Sequence, residues 1–129
     1  MAKKHILIAE DDPSILKMTK LRLEHEGYKV TTAVDGEEAL QRAEAELPSL
    51  ILVDVMMPKM NGYDVCRTLK RHPTTSRIPV VVFSASMSQV QHLADRCIEA
   101  GARDRIKKPF RTKDLLMKID RALERERGG

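Results

Sequence analysis

Aromatic residues are nearly absent from this chain: it has no tryptophan, and only two tyrosines and two phenylalanines among 129 residues. A surface that stacks on bases needs such rings. The 23 basic side chains are spread among 19 acidic ones rather than gathered into a tract, so a net charge of +4 does not suggest a nucleic-acid-binding surface. Cysteine is scarce as well. Cys66 and Cys97 lack metal-ligand spacing, and each falls on the apolar side of an expected helix, which predicts two buried, reduced thiols in a cytoplasmic protein. No apolar run approaches the ~20 residues that cross a bilayer. The two N-terminal lysines precede a run only as long as a strand, which fits neither a signal peptide nor an anchor. Internal repeats and low-complexity segments are also missing. A chain of this length buries a sizeable core as one domain without disulfides or structural metal. We place that domain at residues 1–124 and read residues 125–129 as a solvated helix end or the stump of a linker.

What the chain does have is short apolar runs that end in acids. Leu50-Ile51-Leu52-Val53 lies between Pro48-Ser49 and Met57-Pro58-Lys59-Met60-Asn61-Gly62, reads as a parallel strand covered on both faces, and ends in Asp54. Its counterpart, Ile6-Leu7-Ile8-Ala9, ends in Glu10-Asp11-Asp12. After it, Asp12-Pro13 predicts a helix cap with proline at the first helical position. Ile15, Leu16, Thr19 and Leu23 form that helix's apolar stripe, and Gly27 stops it. A more polar strand over about 28–33 belongs near an edge, and Asp35 with Glu38 makes a capping box before Ala39, Leu40 and Ala43. Beyond Asp54 the pattern predicts a helix over 62–71 burying Val65, Cys66 and Leu69, and a strand over 79–84. Next comes a helix with Val90, Leu93, Ala94, Cys97 and Ile98 on its apolar stripe, stopped by Gly101. A short strand over 103–107 precedes a last helix, capped near Thr112, that buries Leu115, Leu116, Ile119, Ala122 and Leu123. Five strands alternating with five helices through right-handed crossovers make an α/β, doubly wound parallel sheet, with the two acid-ended strands central.

Ligand sites in such sheets open at the C-terminal ends of the strands. Those ends carry Glu10, Asp11 and Asp12, then Asp54, then Ser84, then Lys108. Taken singly, Asp12 is a helix cap, Ser84 a turn residue, Lys108 a solvated loop residue and Asp54 a turn cap. Their joint arrival at one sheet edge points to a site. Crowded carboxylates repel, and a hard divalent cation with oxygen ligands relieves them; Mg²⁺ with retained waters suits a shallow site of this kind. A cation beside a lysine and a hydroxyl then binds phosphoryl oxygens, and a carboxylate there can attack phosphorus to give an aspartyl phosphate, with Asp54 as the expected nucleophile.

Over essentially its whole length the chain resembles the receiver domain of two-component response regulators, and is similar to the single-domain chemotaxis type. The resemblance is carried by Ile6-Leu7-Ile8-Ala9-Glu10-Asp11-Asp12-Pro13, by Asp54 with Met57-Pro58-Lys59-Met60-Asn61-Gly62, by Ser84-Ala85, by Gly101-Ala102, and by Lys107-Lys108-Pro109-Phe110. It implies a flavodoxin-like, five-stranded sheet of order 2-1-3-4-5. It also implies that Asp54 is the phosphoacceptor, Asp11 the direct Mg²⁺ ligand, and Glu10 an acidic partner acting largely through metal-bound water. Met56 matches the position whose backbone carbonyl completes the coordination. Ser84 matches the hydroxyl that moves onto the phosphoryl group, Lys108 the lysine that pairs with it, and Lys108-Pro109 a bond that is usually cis. The implied donor is a sensor histidine kinase, a phosphotransfer protein or a small-molecule phosphodonor. The implied output is a shift in the face formed by the fourth helix, fifth strand and fifth helix, read by a downstream protein. Direct contact with nucleic acid or membrane is not implied, and the domain is a phosphoryl acceptor rather than an enzyme.

Two features depart from the family pattern. The position three residues before the lysine usually carries an aromatic ring that swings inward; here it is Arg105. A guanidinium is costly to bury without a partner, so Arg105 is expected at the surface, where with Lys107, Lys113, Lys118 and Arg121 it would make a basic face for an acidic partner. Lys107 itself points outward by strand alternation. The stretch from Ser84 to Lys108 is also slightly long, which suggests an enlarged loop or helix between Ala85 and Val90. Two alternatives stay open on the sequence. A phosphohydrolase with an Asp nucleophile also uses Lys and Mg²⁺ at a strand end, but usually needs a second acid two residues on, where Met56 stands, and a cap for which no residues remain. The other is a degenerate receiver that serves only for docking; Asp54, Asp11 and Lys108 speak against it, and Arg105 speaks for it.

Overall fold

The apolar runs pair with one another in parallel. In the computed structural model the described residues are 3–85 and 87–128, the last four by backbone alone. Strand β1 (His5–Ala9) lies between β2 (Lys29–Ala33) and β3 (Leu50–Asp54), and the sheet continues through β4 (Val80–Ser84) to β5 (Asp104–Lys107), in the order β2-β1-β3-β4-β5. The helices are α1 (Pro13–His25), α2 (Gly36–Glu46), α3 (Gly62–Arg71), α4 (Ser88–Glu99) and α5 (Thr112–Gly128). The expected α/β, doubly wound, five-stranded parallel sheet is therefore the fold of this protein.

Strand periodicity sorts the core into two layers. Leu7, Ala9, Ile51, Val53, Val80 and Val82 face α2, α3 and α4, where Ala39, Ala43, Val65, Cys66, Ala94 and Cys97 meet them. Ile6, Ile8, Leu50, Leu52, Val81, Phe83 and Ile106 face the opposite way, onto Leu23 of α1 and Leu115, Ile119, Ala122 and Leu123 of α5. The helix after β1 thus lies on one face and the helix after β3 on the other, and these two strands are neighbours. Their C-terminal ends bound the crevice where a doubly wound sheet binds its ligands. The two thiols are buried and unbridged, as expected.

Local signals hold where they are side-chain caps. Asp12 accepts hydrogen bonds from the backbone N–H of Ser14 (2.9 Å) and Ile15 (3.2 Å). Asp35 accepts from Glu38 N–H and Glu38 from Val34 N–H, both at 2.8 Å. At α5 the first turn hangs on the carbonyl of Arg111, which accepts from Leu115 N–H, so Thr112 is the first helical residue rather than the cap. The stripe of α4 is narrower than expected. Val90, Ala94 and Cys97 are buried, but Ile98 is 40 % exposed: eight positions after Val90, it has rotated past the seam with the sheet. Ile15, Leu16, Leu93 and Leu116 are half-buried at the margins of their helices. The lengthening expected between Ala85 and Val90 falls partly on Ser86, outside the described residues. Among the described residues no helix is long and apolar enough to cross a membrane.

Candidate functional site

The backbone around Asp54 is held by a close approach of α3. A Cβ on Gly62 would lie 2.8 Å from the carbonyl oxygen of Asp54 and 2.9 Å from the Cα of Val55, so only glycine lets the start of α3 sit against the end of β3. Gly62 N–H donates to the carbonyl of Val55 at 2.8 Å, which closes the loop between them. Within that loop Lys59 is left-handed (φ +67°), and its ammonium stands 3.5 Å from Asp35 and 3.8 Å from Glu37 on α2.

Asp54 is buried, and both carboxylate oxygens are engaged: Oδ2 accepts from Lys108 Nζ at 2.9 Å, and Oδ1 from Met56 N–H at 3.2 Å. Lys108 also donates to Glu10, which is fully buried and accepts from Asp12 N–H at 3.3 Å. Asp11 is exposed at the mouth. One carboxylate oxygen from each of Glu10, Asp11 and Asp54 lies within 4.8 Å of the others. The Lys108-Pro109 peptide is cis.

This crowding shifts the ionisation of the group. Burial, and then the hydrogen-bonded Asp54 beside it, push the Glu10 carboxyl from 4.5 up to about 8, against the opposing pull of Lys108. Burial works against the charge on Lys108, but its bonds to Glu10 and Asp54 outweigh that and hold its pKa above the ordinary lysine value. Near neutral pH Glu10 therefore retains a proton while Lys108 stays charged. The oxygen-only donor set, two buried acids with a third at the opening, fits a hard divalent cation such as Mg²⁺. Held by these residues, such an ion would supply positive charge that offsets the crowded acids.

Met56 borders this cluster through its backbone, donating its N–H to Asp54, while its side chain is exposed. The buried Ser84 hydroxyl is engaged by α4: Gln91 Nε2 donates to Ser84 Oγ at 2.9 Å and to the carbonyl of Ala85 at 2.8 Å. Arg105 stands at the surface as expected, with its side chain 36 % exposed, paired to Asp95 and 3.4 Å from the carbonyl of Gln91. Lys118 pairs with Asp104 at 3.1 Å. These pairs engage two of the five cations of the expected basic face, Arg105 and Lys118, with carboxylate partners on the domain's own surface. Gln91 and Asp95 were not among the residues expected at the site, since helical periodicity identifies only the apolar side of α4. Beside the acids, an apolar cleft of about 360 Å³ runs between α1 and the β5–α5 loop, lined by Ile15, Met18, Arg22, Lys108 and Phe110.

Comparison with known proteins gives this geometry a family context. Residues 6–120 match the family described as the response regulator receiver domain. The chain is 42 % identical over 125 residues to a probable transcriptional regulator, ycf27, of Cyanophora paradoxa, covering 95 % of this chain and 49 % of that protein. It spans about half the length of the curated relatives it matches. A CheY-like response regulator receiver domain protein from Methanospirillum hungatei superposes with a TM-score of 0.90 at 31 % identity, covering 98 % of both chains. The receiver domain of the sensor histidine kinase PA1611 from Pseudomonas aeruginosa superposes with a TM-score of 0.87 at 29 % identity. It covers 95 % of this chain and 99 % of that one, and its structure has a magnesium ion coordinated in the active site cleft.

Proposed function

The chain belongs to the response regulator receiver family of two-component signalling, and on that premise we propose that Asp54 is the acceptor of a phosphoryl group from a phosphohistidine on a partner kinase or phosphotransfer protein. The observation that carries this is the state of the Asp54 carboxylate: buried at a strand end, held by Lys108 and Met56 N–H, and flanked by Glu10 and Asp11. A carboxylate oxygen of Asp54 forms the bond to phosphorus as the phosphorus–nitrogen bond of the donor breaks, its electron pair leaving with the imidazole nitrogen.

Glu10, Asp11 and Asp54, with the backbone carbonyl of Met56, would hold Mg²⁺. When bound, the ion supplies positive charge against the phosphoryl oxygens. Lys108, already directed at Asp54, pairs with a phosphoryl oxygen. Ser84 supplies a hydroxyl that turns toward the new group, and the face made by α4, β5 and α5 carries the change to a downstream protein. We take residues 1–124 as the receiver and place it in the cytoplasm, where Cys66 and Cys97 stay reduced. It acts as a signalling domain and not as an enzyme on a separate substrate. The second acid that a phosphohydrolase usually carries is absent, because Met56 occupies that position.

The deciding experiment is intact mass after incubation with acetyl phosphate and Mg²⁺. One phosphoryl adduct is expected on the parent and none on Asp54→Asn. Labelling of Asp54→Asn as fast as the parent would overturn the assignment.

A further inference from the structure

Ser84 is at the correct strand end, but its hydroxyl serves a different element. Its partner among the described residues is Gln91 of α4, whose Nε2 also donates to the carbonyl of Ala85. A carbonyl can only accept, so it is the nitrogen of Gln91 that faces Ala85, and its two hydrogens go one to each partner. Met87, at the N-cap of α4, makes no side-chain cap, and the Gln91 amide ties the first turns of this helix to the end of β4. On its other side, the backbone carbonyl of Gln91 lies 3.4 Å from Arg105 Nη1, and the same guanidinium pairs with Asp95 one turn further along. A polar chain thus runs from the buried Ser84 hydroxyl through Gln91 to Arg105 on β5, at the position where an inward-swinging ring is missing.

We propose that Gln91 is a positioning residue that holds the Ser84 hydroxyl on α4, away from the phosphoryl site, and that its release on phosphorylation loosens the contact between α4 and Arg105. This rests on Asp54 being the acceptor. A serine oxygen moves between staggered wells, so a hydroxyl seated on α4 leaves Gln91 when it turns to a phosphoryl oxygen. The start of α4 then keeps one of its two amide ties, the one to Ala85, and the change reaches β5 with no aromatic ring involved.

The test uses beryllium fluoride with Mg²⁺ as the phosphoryl mimic, and nuclear magnetic resonance of the side-chain amide of Gln91. In the metal-free parent, Ser84→Ala should shift the Gln91 Nε2 signals, because it removes their acceptor. Adding the mimic to the parent should shift them in the same direction. Gln91→Ala and Gln91→Met, the second of which keeps the volume without a donor, should each lower the half-saturating mimic concentration about fivefold, the effect of one neutral hydrogen bond. In a Ser84→Ala background that gain should vanish. If the parent neither saturates with the mimic nor takes a phosphoryl group, Asp54 is not the acceptor and both readings fall. If the parent saturates but the Gln91 variants bind the mimic equally or more weakly, or gain without the Ser84 hydroxyl, the Gln91 proposal alone is overturned.

Discussion

At the scale of single residues, the feature with the most consequence is the proton on Glu10. Its folded-state pKa of about 8 lies above the ordinary 4.5 because burial and the adjacent Asp54 disfavour its charge. A raised pKa means the folded state binds the proton more tightly than the unfolded chain. The stability this contributes is complete below about pH 4.5 and is lost as pH rises through about 8. In EDTA, the parent should lose more stability across that window than Glu10→Gln, measured by thermal melts at fixed ionic strength. A parent and variant with parallel pH profiles would refute the assignment of the proton to Glu10. Asp11 and Asp54, though neighbours, should behave differently. Asp11 is exposed and has no ion-pair partner among the described residues, so Asp11→Ala relieves repulsion and should raise the metal-free melting temperature. Asp54 is paired with Lys108, so Asp54→Ala gives up an attraction along with the repulsion and should gain less than Asp11→Ala.

At the scale of elements, the seating of α3 on β3 and the pairing between α4 and β5 make separate predictions. Gly62→Ala places a methyl group against the backbone of Asp54 and Val55, where no flexible side chain can yield. The helix must move, at a cost of about 1–3 kcal/mol in urea unfolding, the usual price of overpacking. Adduct formation at Asp54 should slow with it; a Gly62→Ala protein of parental stability would show that the approach is looser than the geometry indicates. Arg105→Ala removes an ion pair that is largely open to water, so stability should change by less than ~1 kcal/mol. A larger loss, measured in the same way, would mean that the Arg105–Asp95 pair is a structural tie between α4 and β5.

For the whole molecule, the crowded acids make ion binding and folding interdependent. An ion that binds only the folded state adds stability as its concentration rises past its dissociation constant, about 1.4 kcal/mol at tenfold excess. Millimolar Mg²⁺ should therefore raise the melting temperature of the parent, EDTA should reverse this, and Asp11→Ala should respond much less. A parent whose melting ignores Mg²⁺ would argue against the acidic cluster as the ion site. Those acids come from β1 and β3, which are neighbours in the sheet although more than forty residues separate them along the chain.

The sequence by itself determined the elements and their facing, because both follow from local periodicity. An unbroken apolar run such as 50–53 is stable only between two layers of helix, and Asp12 and Asp35 cap helices through N–H groups two or three residues away. It also placed Glu10, Asp11, Asp54 and Lys108 at strand ends of one edge, and the structure brings them together. Partnership across elements was decided only by the tertiary structure. Whether Ser84 faces Asp54 or Gln91, and whether Arg105 finds Asp95, depends on how α4 is rotated and seated on β4 and β5; no periodicity in α4 encodes that angle, and the exposure of Ile98 shows how far it differs from a simple stripe. The ionisation of Glu10 belongs to the same class. A carboxyl group acquires a raised pKa from desolvation and from neighbours distant in sequence, and these exist only once the sheet has formed.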